Sequence, residues 1–431
     1  MNKSGTAVCK RVCKVRSFES PSTGARITRH CGSSSCCQRC AVRQLPLFAS
    51  ASEGVAITIS GRGVQEIDLM DIPDTKDALR DALIEQRQYT LGLYADLPES
   101  YWTPAQFPFS PLTNPPLWEL AHIAWFAEFF CCRWQPDDVH GARTLSIWSG
   151  ADAVLNSSTV PHADRWTRTY PARQQLERYM GDALDRVLDM LAASKKDRLP
   201  LFQLSLLHED MHGEALQMTL RLLGLPFATV PFGKPPAAHA NGVLQFPAGQ
   251  IELGMCGRRF QFDNELPVER AQVAAFEIDA SPVTHAALNE WRADTGRACF
   301  LAAGHADLAM HMRHDEAAAF ARDHGRRLPS EAEWEAAAQQ SDAFRDSTGV
   351  GWEWTSTVFG PREGFQAGPY RDYSAPWFSV DSFHEQPSRR HMVLKGGSFA
   401  THPRLKYSQY RNFYTEDRSD MFCTFRTCRS I

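Results

Sequence analysis

From Lys76 onward, hydrophobic positions return every three or four residues through four long stretches, the period of a helix with one buried stripe. They are KDALRDALIEQRQYTLGLYADL, LWELAHIAWFAEFFCCRW, RQQLERYMGDALDRVLDMLAAS and LFQLSLLHEDMHGEALQMTLRLL. Asp74 or Thr75 can cap the first, Pro115 and Pro116 precede the second, and Gly224 follows the fourth. Four such helices, with one long connection among them, predict a four-helix bundle. From about Phe246 the long period gives way to short segments rich in Gly, Trp and Arg, which predict a second domain of mixed helix and strand. The fold class is therefore α+β. Residues 1–69 carry no sustained period, and their Ser, Gly and Arg content reads as a disordered, Cys-rich leader. The expected organisation is leader 1–69, bundle 70–240 and second domain 241–431.

Composition narrows the function classes. In 431 residues, 43% of them hydrophobic, there is material for two cores. A net charge of -4 and a pI near 6.4 offer no basic stripe for nucleic acid, and no apolar run is long enough to cross a bilayer. Six of the 12 cysteines, Cys9, Cys13, Cys31, Cys36, Cys37 and Cys40, lie in the leader, and the other six show no regular framework. The leader spacing, C-x3-C then C-x4-C-C-x2-C, is short enough for a thiolate zinc site. The same Ser-rich, basic stretch also resembles a transit peptide or an extension ahead of a true start at Met70. A reducing cytoplasm is the simplest compartment for such cysteine usage.

Chemistry enters in the fourth helix. Its apolar stripe runs Leu201, Leu204, His208, Met211, Ala215, Met218 and Leu222, so His208 sits on the core-facing side. His212 lies one turn on, and two imidazoles at this spacing can share a cation. Two core histidines satisfied by hydrogen bonds would give the same pattern. Glu214 follows His212 by two residues, roughly 200° around the helix, which puts it outside the same coordination sphere and in a supporting shell. A third ligand must come from another helix, and His122, with Trp118, Trp125 and Phe126 around it in WELAHIAWF, is the candidate. Three neutral nitrogens with open positions suit a metal that binds O2 and substrate, whereas closed structural zinc takes four protein ligands.

The segments FPAGQIELG, FDNELP, FEIDASPVTHAALNEW, GRRLPSEAEWEAAA, GWEWTST, VLKGGSF and FRTCR resemble, in their order, the formylglycine-generating-enzyme-like or sulfatase-modifying-factor domain, which has a C-type-lectin-like core. The cysteine pair of the sulfatase-modifying enzymes is not located by Cys423 and Cys428 in FCTFRTCR. With a DinB-like bundle carrying His122 and the H-x3-H-x-E run His208, His212 and Glu214, the chain from Met70 onward resembles the ergothioneine-type sulfoxide synthases. The resemblance implies Fe(2+) held by His122, His208 and His212, with hercynine, a thiol and O2 as small-molecule substrates. YRNF matches the family's RN-aromatic motif, so Asn412 is expected to hydrogen-bond hercynine and Phe413 to lie near its trimethylammonium, a cation–π contact of about 0.5 to 2 kcal/mol.

This chain departs from the mycobacterial type in having Met211 for Gln, Phe413 for Trp and Tyr414 for an acidic residue that helps hold γ-glutamylcysteine. HEDMHGEAL and the NSSTVPHADRW loop look most like the selenoneine synthase branch, whose donor is a selenosugar. Arg165 and Arg418 are then candidate donor contacts beside Met211 and Tyr414, or else solvated surface arginines. A proton or electron donor is needed at the open face, and Tyr370 and Tyr373 in GPYRDYS fall in the region that supplies a tyrosine in the family, with Tyr414 as a third candidate. Three other readings stay open: an ergothioneine-pathway synthase using γ-glutamylcysteine or cysteine, a DinB-like thiol transferase using zinc or nickel, and a lectin-like binding module on a helical scaffold.

Overall fold

Each of the four helical periods is a helix in the structure, a computed structural model that describes residues 57–58, 72–95, 97–141, 143–225, 242–254, 260–298, 311–344, 347–379 and 389–431. Helix α1, Lys76–Ala95, starts after Thr75, whose Oγ1 accepts the Ala78 N–H at 3.3 Å. Helix α2, Pro116–Glu128, opens on the proline pair, where a missing N–H costs nothing, and is buried at every position. It runs into a π-helical turn, Phe129–Arg133. The long connection that follows contains the short α3, Ala151–Leu155, before α4, Arg173–Ala193, and α5, Leu199–Leu222. Helix α1 packs on α5 and α4, and α2 packs on the same two, which closes the bundle.

The single stripe expected on α5 is an underestimate. Leu201, Leu204, His208 and Met218 are buried, Met211 and Ala215 are half-buried, and Leu222 is 42% exposed, yet Glu209, Asp210, Glu214 and Gln217 on other sides are buried too. A helix buried nearly all round needs a second covering layer, and the second domain supplies it.

That domain contains β1 Ile57–Thr58, β2 Val243–Phe246, β3 Gly249–Leu253, β4 Glu269–Val273 and β5 Phe276–Asp279, then α6 His285–Asp294, α7 His314–Asp323 and α8 Glu331–Gln340. Strands β6 Trp352–Val358, β7 His391–Gly396, β8 Asn412–Thr415, β9 Cys423–Phe425 and β10 Cys428–Ser430 complete it. The sheet orders are β1-β2-β5-β10, β3-β4 and β8-β7-β6-β9. Strand β1 differs from the expectation of a leader without structure, since it lies parallel to β2 with Ile57 opposite Leu244. Two paired residues are too few to register as a period. The cysteine cluster and the expected boundary at 240 and 241 lie outside the described residues.

Local sequence explains the parts of this domain that reach the bundle. Ser330 and Glu333 form a capping box at the start of α8. In β6, alternation sends Trp352 and Trp354 to one side and Glu353 to the other. The Trp352 indole donates to Glu214 on α5 at 2.9 Å. Glu353 accepts from the Trp334 indole at 2.7 Å and from Arg426 at 2.8 and 3.0 Å. Arg411 donates to the Asn264 carbonyl at 2.6 Å and the Gly360 carbonyl at 3.2 Å and pairs with Glu331 at 2.8 Å, which anchors the start of β8. Cys423 and Cys428 are buried free thiols in different sheets. Among the described residues no helix is long and apolar enough to cross a membrane.

Candidate metal centre

Helices α2 and α5 bring three imidazoles to one point. His122, His208 and His212 each offer a nitrogen within 4.8 Å of the others, and among the described residues no further His, Cys, Asp or Glu joins this group. The outer contacts of each ring differ. His122 Nδ1 is 2.8 Å from the Leu155 carbonyl, which can only accept, so Nδ1 carries the proton and Nε2 the lone pair. His212 Nδ1 lies 2.5 Å from Glu119 Oε1, and this fixes the same tautomer. His208 Nε2 and His212 Nε2 face each other at 3.2 Å, while His208 Nδ1 is buried without a partner.

Aromatic rings hold the imidazoles in plane. Trp118 stacks on His122 with centroids 4.5 Å apart, and Phe126 stacks on His208 at 3.5 Å. Burial, with the adjacent His212, pushes His122 and His208 well below the usual imidazole range, so both rings are neutral. Burial pushes the Glu119 carboxyl up, but His212, Asn114 and Arg165 outweigh it and hold the carboxyl below its ordinary range. Basic nitrogens converging in an apolar shell fit a divalent transition metal and leave coordination positions for other ligands.

The second domain faces this centre with phenols. The Tyr370 ring is 6.2 Å from that of His208 and edge-on to Phe126 at 5.1 Å. The Tyr373 hydroxyl is 3.0 Å from the Tyr410 hydroxyl, and the two lie 3.8 and 3.4 Å from the sulfur of Met211, the residue before His212. Burial raises both Tyr370 and Tyr373, so each phenol keeps its proton at neutral pH. Arg165 donates to Asn114 Oδ1 at 2.6 Å and lies 3.9 Å above the Trp118 ring.

Other expected site residues are arranged differently. In β8, Asn412 and Tyr414 share one face and Phe413 takes the other, as strand alternation requires. Phe413 stacks on Phe359 at 4.1 Å and reaches the site by its edge contact with Tyr373 at 6.1 Å. Arg418 is tied to Asp420 by bonds of 2.8 and 2.5 Å and lies 4.7 Å over Tyr414, so its charge is already matched. Glu214, expected to support the histidines, instead accepts from Trp352, from Ser398 at 2.6 Å and from Thr401 at 2.8 Å. The 200° turn that removes it from the coordination sphere carries it into the domain junction. Glu119 supports a histidine in its place, and it was missed. Its signal was a carboxylate three residues before His122 in an otherwise apolar helix.

Comparison with known proteins fits this two-part build. Residues 82–216 match the DinB superfamily, and residues 230–346 match the sulfatase-modifying factor enzyme 1-like domain. The chain is 26% identical to a protein named hercynine oxygenase from Mycolicibacterium smegmatis, over 81% of this chain and 98% of that one. It is 27% identical to one of the same name from Mycolicibacterium thermoresistibile, over 80% and 93%. A third, from Mycobacterium tuberculosis, is 25% identical over 75% and 92%. With both domains matched in order and relatives named hercynine oxygenase aligned over nearly their full length, the chain is similar in build to those proteins, which supports the ergothioneine-type sulfoxide synthase family.

Proposed function

We propose that this chain is an O2-dependent, non-haem iron enzyme that joins selenium or sulfur to imidazole C2 of hercynine, with a selenosugar as the preferred donor. The observation that carries the reading is a three-histidine centre facing half-buried phenols of the second domain, in a chain whose relatives are named hercynine oxygenase. His122, His208 and His212 would hold Fe(2+). When bound, iron supplies electrons to O2. His122 and His208 stay neutral by burial, and Trp118 and Phe126 exclude water from their faces.

Tyr370 or Tyr373 donates a proton or electron from its phenolic oxygen at the open side. Tyr370→Phe and Tyr373→Phe separate the two, because only the acting phenol should lower kcat with little change in KM. Asn412 would orient hercynine by hydrogen bonds, and Phe413 and Met211 would line its apolar side. Arg165 and Tyr414 would take the donor's oxygens, with Arg418 bracing Tyr414 rather than meeting the donor. A neutral phenol at 414 has no charge to offer an ammonium group, which supports a sugar donor over γ-glutamylcysteine.

The test is aerobic incubation of the Fe(2+) protein with hercynine and a donor panel, read by product mass. The expected order in kcat/KM is selenosugar, then thiosugar, then γ-glutamylcysteine. Preference for γ-glutamylcysteine or cysteine would make it an ergothioneine-pathway synthase, and thiol transfer without O2 uptake would make it a DinB-like transferase.

A further inference from the structure

The three histidines differ in what stands behind them. His122 is backed by a neutral carbonyl, His208 Nδ1 by no partner among the described residues, and His212 by a carboxylate. That carboxylate, Glu119, is 5% exposed and sits one helical turn before His122 on α2, so a single helix delivers one candidate ligand and the support of another. Glu119 is itself held: Asn114 hydrogen-bonds it, and Asn114 Oδ1 accepts from Arg165 at 2.6 Å. Arg165 also lies against Trp118, the ring that stacks on His122. We propose that Glu119 is the positioning residue of the centre, its carboxylate fixing the tautomer and direction of His212 while the Asn114 and Arg165 pair holds the carboxylate in place.

This rests on the metal-binding reading above. A carboxylate behind a ligating imidazole orients the ring and raises its basicity, and the loss of such a partner typically lowers metal affinity by about 10- to 100-fold. His212 is then the most strongly donating of the three ligands, because it alone has an anion behind it. A glutamine at 119 keeps an oxygen that can accept from Nδ1 but loses the charge, so it separates orientation from donation.

The experiment is an anaerobic titration of the full chain with Co(II) and with Fe(II), comparing wild type, Glu119→Gln, Glu119→Ala and His212→Ala. It reads affinity, the Co(II) ligand-field spectrum and the iron midpoint potential. The expected result is a loss of about 10- to 100-fold for Glu119→Ala. Glu119→Gln should stay closer to wild type in affinity, with a shifted Co(II) spectrum and a raised potential. Wild-type affinity and spectrum in Glu119→Ala would overturn the role of Glu119 while leaving the metal centre intact. Failure of wild type to bind either metal, with His212→Ala no different, would overturn the centre itself. If Glu119→Ala does not fold, Glu119→Gln decides, and a variant matching wild type in affinity, spectrum and potential overturns the proposal.

Discussion

Helix α5 carries two buried polar faces about half a turn apart, and they have opposite characters. On one, His208 and His212 turn their Nε2 atoms toward each other, and His208 Nδ1 lacks a partner among the described residues. On the other, Asp210 takes 3.0 and 2.8 Å bonds from Arg404, and both oxygens of Glu214 are bonded to second-domain side chains. His208, Asp210 and Glu214 are buried and His212 is half-buried, so burial alone does not distinguish the faces. What separates them is how they are bonded: the carboxylates are satisfied by second-domain side chains at the domain junction, whereas the imidazoles converge on one another and His208 Nδ1 has no partner among the described residues.

The largest expected effect tests the first face. His208→Ala or His212→Ala should abolish iron binding and O2 uptake while thermal unfolding stays cooperative, checked by metal analysis, an oxygen electrode and calorimetry. Full activity in either variant would remove the functional face altogether. The second face should answer in stability instead. Arg404→Ala strands Asp210 in the junction, and removing one partner of such a buried pair typically costs about 3 to 5 kcal/mol, read by denaturant unfolding. A loss near zero would mean that Asp210 finds other partners and that the junction is not held this way.

Donor choice comes next in size. Tyr414→Asp should improve γ-glutamylcysteine relative to the selenosugar by about 1.5 to 3 kcal/mol, the worth of a charged hydrogen bond, measured as a change in the ratio of kcat/KM. An unchanged ratio would move donor selection away from β8. A further effect, read in the pH dependence of stability, concerns a buried carboxylate that is not fully satisfied. Glu265 accepts from Tyr407 at 2.7 Å, its other oxygen has no partner among the described residues, and burial raises its pKa to about 8. Its folded pKa lies above its ordinary value of 4.5. The stability it contributes is therefore fully present below about pH 4.5 and is lost as pH rises toward 8. Glu265→Gln should flatten the fall in Tm between those limits, and an unchanged slope would assign the titration to another group.

The helical half of this protein was legible because its signals are local. The 3.6-residue period marks α1, α2, α4 and α5, Thr75 and Pro116 mark two starts, and the spacing of His208 and His212 follows from one turn of helix. His122 could be named only as a candidate, since nothing local says which of many buried residues on α2 meets α5. Short strands carry weaker signals: β1 and β8 are set by pairing with β2 and β7, partners distant in sequence.

Sequence by itself determined the bundle, the helix ends, the one-turn histidine pair and the ordered segments of the second domain. Tertiary structure alone decided that Glu119 rather than Glu214 stands behind a histidine, that Arg418 is consumed by Asp420, and that Phe413 stacks on Phe359. The physical reason is that periodicity and propensity act over one or two turns, whereas the partner of a buried charge is chosen by whichever group the packed chain brings within about 3 Å of it.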